Sequence, residues 1–102
     1  MKTVTIADAR RFSLDQVERA ELGNHPDLSV ELLCFEAGQS LDGLSTAGTV
    51  VYQVLEGEAL LRTSAERARL GKGKLTSVPA GERHTLENAG GGLLVVLAAA
   101  AR

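Results

Sequence analysis

Apolar residues along the chain fall in short runs broken by glycine about every ten residues, and no long stretch keeps a 3.6-residue period. That is the pattern of an all-β sandwich or barrel. Residues 28–35 alternate at first (Leu28, Ser29, Val30, Glu31) and then become apolar on both faces, after a His25-Pro26-Asp27 turn signal. This predicts a core strand. Residues 50–55, rich in valine, and the run at 59–63 flank Glu56-Gly57-Glu58, which predicts a hairpin hinged at Gly57. A brief strand at 68–70, a reversal at 71–74 and a strand at 75–78 follow, the last stopped by Pro79-Ala80-Gly81. Beyond His84-Thr85-Leu86-Glu87 and the Ala89-Gly90-Gly91-Gly92 spacer, residues 93–97 read as a buried closing strand. The alanine tail, 98–101, is expected to fray or turn helical. Near the N-terminus, residues 13–16 fit a helix capping box, while 17–22 pass as an edge strand. A short turn followed by a strand is the reading adopted.

A length of 102 residues suits one domain, with a turn and edge-strand segment at 1–27 leading into a barrel at 28–102. Hydrophobic residues at 44% and charged residues at 24% place the chain among globular rather than disordered sequences. The aromatics are Phe12, Phe35 and Tyr52, with no Trp, so the interior must be filled by Val, Leu and Ala and stacking platforms for bases are lacking. With a net charge of −2 and no basic stripe, no nucleic acid partner is expected. The single cysteine, Cys34, cannot form an intrachain disulfide and suits a reducing compartment, so a cytoplasmic location is expected. The longest apolar run, residues 93–101, is far shorter than the roughly 20 residues of a membrane helix, and the N-terminus has no apolar signal core. Neither membrane insertion nor export is expected.

One spacing stands out: Gly73, Pro79, Gly81, His84 and Asn88. Gly73 permits a turn with positive φ, Pro79 fixes the chain where no ladder donor is needed, and Gly81 allows a tight reversal that aims His84. The stretch resembles the second motif of the cupin family at every defining position. The Glu36-Ala37-Gly38 turn and residues 54–58, with Gly57, resemble the two ends of the family's first motif, so the likeness covers about residues 28–97. It implies an all-β, double-stranded β-helix (jelly-roll) barrel, and a homodimer paired through exposed sheets and N-terminal strands. In cupins the equivalent of His84 points into the barrel and binds a divalent metal with two histidines and a glutamate of the first motif. Laying that motif between Gly38 and Gly57 puts those three ligands at Leu44, Thr46 and Val50. Leucine and valine offer no lone pair, and a threonine hydroxyl is a poor ligand for Zn, Fe or Mn. No His or Glu lies between Glu36 and Glu56, and Asp42 is the only carboxylate there. Neither a metal nor another cofactor is expected.

His84 then reads as a histidine hydrogen-bonded in a polar pocket rather than as a ligand or general base. Its candidate partners are Thr46, Tyr52, Gln53 and Glu87. If Val50 points inward, alternation sends Tyr52 and Val54 inward and Gln53 outward, which favours Tyr52. The expected ligand pocket is therefore His84, Tyr52, Thr46, Leu44 and Val50. His25 reads as a turn residue, Cys34 as a small buried hydrophobe and Asn88 as a turn-fixing side chain. Neither a phosphate-binding loop nor a serine nucleophile elbow is present. The leading reading is a metal-free cupin that binds a small ligand in its barrel or serves a structural or regulatory role, without catalysis. The alternative is a metal-dependent cupin enzyme, of dioxygenase or isomerase type, with ligands drawn from His84, Asp42, Glu87 and His25.

Overall fold

Nine strands joined by tight turns form two antiparallel sheets in the computed structural model, which describes residues 1–102. They are β1 (Glu18–Asn24), β2 (Leu28–Phe35), β3 (Ser40–Leu44), β4 (Val50–Glu56), β5 (Ala59–Arg62), β6 (Arg67–Leu70), β7 (Leu75–Val78), β8 (His84–Asn88) and β9 (Leu94–Ala101). The larger sheet runs β1-β2-β9-β4-β7 and the smaller β3-β8-β5-β6. No helix is long and apolar enough to cross a membrane.

Alternation along the strands decides what fills the space between the sheets. Leu33 and Phe35 of β2, Val50, Tyr52 and Val54 of β4, Leu86 of β8, and Leu94 and Val96 of β9 are buried together there. Each fully buried Leu, Val or Phe of this set contributes roughly 1.5–3 kcal/mol of transfer free energy. Strand β2 is apolar on both faces because its other face is covered too. Leu32 and Cys34, with Leu22 and Val95, lie under Ile6, Ala9 and Phe12 of the N-terminal segment.

Residues 13–16 form bends rather than a helix, and the Ser13 hydroxyl accepts a hydrogen bond from the Asp15 N–H at 3.1 Å. The side chain thus serves a local turn instead of a helix cap. The alanine tail departs from expectation: residues 98–101 neither fray nor turn helical but complete β9. Their backbone is paired on both sides, with Leu28, Ser29, Val30 and Glu31 of β2 and with Val50, Val51 and Tyr52 of β4. Two ladders of backbone hydrogen bonds outweigh the weak local preference of alanine.

The motif residues hold the turns. Gly38, Gly57, Gly73 and Gly81 all have positive φ, between 74° and 87°. At Gly57 a Cβ would also collide with the Leu93 carbonyl oxygen, so hairpin and closing strand meet at a point with no room for a side chain. The Asn88 side-chain amide donates to the carbonyls of Glu36 and Gly92 at 3.0 and 2.8 Å and accepts from the Gly90 N–H at 3.1 Å, joining two turns distant in sequence. After Pro79, the Gly81 N–H donates to the Thr46 carbonyl at 2.8 Å, which fastens the Pro-Gly turn to the loop between β3 and β4.

Candidate functional site: a hydrogen-bonded tyrosine and histidine beside a cavity

Strand β4 aims Tyr52 into the barrel from the larger sheet, and β8 aims His84 inward from the smaller one. They meet with the Tyr52 hydroxyl 2.7 Å from His84 Nε2, the rings edge to face with centroids 5.6 Å apart. His84 Nδ1 lies 2.9 Å from the Glu82 carbonyl oxygen. A carbonyl only accepts, so Nδ1 carries a proton. In the neutral ring Nε2 is then the acceptor, and the Tyr52 hydroxyl donates to it. The result is a directional relay from Tyr52 through His84 to the backbone.

Burial pushes the Tyr52 phenol up to about 12, with the Arg19 guanidinium opposing the shift and the Glu31 carboxylate adding to it. Tyr52 therefore stays a neutral phenol through the whole physiological range.

Next to Tyr52 lies a cavity of about 240 Å³. Leu33, Leu41, Leu44, Val50 and Ala98 form its apolar wall, and Ser29, Glu31, Arg19 and Thr46 its polar part. Arg19 and Glu31 form a two-pronged ion pair, Nε to Oε2 at 3.2 Å and Nη2 to Oε1 at 2.8 Å. Both are about a third to a half exposed, which sets them at the mouth. Of the five pocket residues expected from sequence, Leu44, Thr46, Val50 and Tyr52 line this cavity. His84 is not part of the lining. It stands behind Tyr52, paired across the sheet with Leu44.

Arg19, Ser29, Glu31, Leu33, Leu41 and Ala98 were not anticipated. The alternation of β2 carried the signal for three of them, since Ser29, Glu31, Leu33 and Phe35 share one face and grade from polar to apolar. An inward face that becomes polar toward one end marks the open end of a barrel.

The residues present do not fit a cupin-type metal. No three His, Cys, Asp or Glu side chains lie close enough together to hold an ion, and both ring nitrogens of His84 are already engaged. The unconventional set of His84, Asp42, Glu87 and His25 does not assemble either. Glu87 is ion-paired with Arg62 at 3.1 Å, exposed Asp42 faces the Ser40 hydroxyl at 3.3 Å, and His25 sits exposed in the turn before β2. Cys34 lies in the outer apolar layer, where burial pushes its thiol up, away from nucleophilic reactivity.

No family model matches the sequence, and no curated protein does. Solved structures do match, over nearly the whole chain. The protein TT1209 of Thermus thermophilus superposes with a TM-score of 0.90 at 23% identity, covering 100% of this chain and 99% of its own. A cupin superfamily protein of Desulfitobacterium hafniense gives 0.84 at 23% identity over 98% of this chain and 90% of its own. An uncharacterised Klebsiella pneumoniae protein with a double-stranded β-helix domain gives 0.89 at 17% identity, with coverages of 99% and 90%. The chain thus has the double-stranded β-helix fold of the cupin superfamily, as the Gly73-to-Asn88 motif implied.

Proposed function

We propose that this protein is a non-catalytic, metal-free cupin that binds a small, largely apolar molecule in the cavity beside Tyr52. The observation that carries this reading is the replacement of the family's ligand positions by Leu44, Thr46 and Val50, all three of which line that cavity. A pocket with an apolar wall and a few convergent polar groups is the usual form of a small-molecule site. A role in a reducing, cytoplasmic setting suits the free Cys34. The protein acts as a homodimer in this reading. Its pairing surface is the outer face of the larger sheet, where Leu28 and Leu75 are exposed beside half-buried Val30, Leu55 and Leu97.

Two measurements test the proposal. Elemental analysis of purified protein is expected to find no stoichiometric transition metal; one tightly held ion per chain, lost on His84→Ala, would overturn the metal-free reading. Calorimetric titration with toluene is expected to show saturable binding that disappears in Ala98→Phe, which fills the cavity from its wall. Saturable binding unaffected by that substitution would place the ligand elsewhere.

A further inference from the structure

We infer that the cavity selects neutral molecules that donate a hydrogen bond, small phenols and compact alcohols, over equally apolar molecules that can only accept one. This rests on the cavity being the binding site, as proposed above. The inference comes from where the protons already are. A tyrosine hydroxyl has one proton and two acceptor lone pairs, and the Tyr52 proton is committed to His84 Nε2 at 2.7 Å. The Thr46 hydroxyl, also in the lining, spends its one proton on the Gly48 carbonyl at 2.7 Å. Both oxygens are thereby left as acceptors. The relay through His84 to the Glu82 carbonyl also polarises the Tyr52 oxygen and strengthens it in that role.

Charge at the mouth points the same way. Arg19 is the one cationic donor of the lining, and its fork is bound to Glu31 through two hydrogen bonds. The pair is neutral as a unit. A carboxylate or an ammonium entering the cavity would have to break it or bring uncompensated charge against Leu33, Leu41, Leu44 and Val50. A neutral donor does neither. Size sets the scale: an apolar cavity of about 150 Å³ holds benzene, so one of about 240 Å³ suits a ring carrying a small substituent.

The test is calorimetric titration of the folded chain with phenol, anisole and toluene, three rings that donate and accept, only accept, or do neither. Phenol is expected to bind about tenfold more tightly than anisole, the effect of one hydrogen bond. In Tyr52→Phe that advantage should shrink. In His84→Leu the Tyr52 proton is released, so anisole should gain on toluene. Anisole and toluene binding as well as phenol in the unsubstituted protein would overturn donor selection while leaving the cavity as the binding site. No saturable binding of any of the three would overturn the proposed function itself. The comparison on the unsubstituted protein decides the matter even if a variant fails to fold.

Discussion

Tyr52 is the single tyrosine of a chain without tryptophan, so the ionisation of one side chain can be followed by absorbance with no background from others. Its phenol is expected to titrate with a midpoint of about 12 in the folded protein, against about 10 for an unfolded chain. Between those values the unfolded state holds fewer protons than the folded one, so stability is fully present below pH 10 and falls as pH rises toward 12. A midpoint near 10 under conditions where the fold persists would show that Tyr52 is solvated rather than buried against His84. Removing the hydroxyl with Tyr52→Phe deletes a buried hydrogen bond and leaves His84 Nε2 without its donor. The expected loss is about 1–3 kcal/mol in denaturant unfolding; a variant as stable as the parent would mean the pair contributes nothing. The Tyr52 and His84 side chains could be placed from sequence because period-two alternation fixes direction. Arg19 could not, because its partner Glu31 comes from the neighbouring strand through a register that β1 sets with a bulge between Glu21 and Gly23.

At the scale of elements, the turns were legible and the tail was not. Glycine and proline mark reversals through their own backbone preferences, so the hairpin at Gly57 and the turn at Gly81 could be read locally. Residues 98–101 carry no such local signal. Their strand state is imposed by β2 and β4 on either side, and long-range pairing of that kind leaves little trace in alanine. Strand β3 escaped for a similar reason: Asp42 and Gly43 break its pattern, and its register with β8 slips between Leu41 and Leu44. The glycines offer a graded test. Gly81→Ala meets no atom within 4 Å and suffers only from its φ of 74°, for a cost of about 1–2 kcal/mol. Gly57→Ala has a φ of 87° and in addition collides with the Leu93 carbonyl. It should be clearly the more destabilising of the two in thermal melts. Equal melting temperatures would mean that the close approach of the β4–β5 hairpin to the start of β9 is not a fixed feature of the fold.

For the whole molecule, the same barrel that presents a metal in other cupins here encloses a tyrosine-histidine pair and an apolar space. The fold was readable because five spaced residues specify turns that only this barrel needs. The cavity was half readable, since the first-motif positions gave Leu44, Thr46 and Val50 but the mouth depends on which strands lie next to one another. Its use as a binding site can be tested residue by residue with methyl-resolved NMR spectra of the chain during titration with toluene. The expected result is saturable shifts confined to the methyl groups of Leu33, Leu41, Leu44, Val50 and Ala98, which line one space. Shifts gathered instead on the outer residues Leu28, Val30, Leu55, Leu75 and Leu97, or no saturable shift at all, would contradict a binding cavity beside Tyr52.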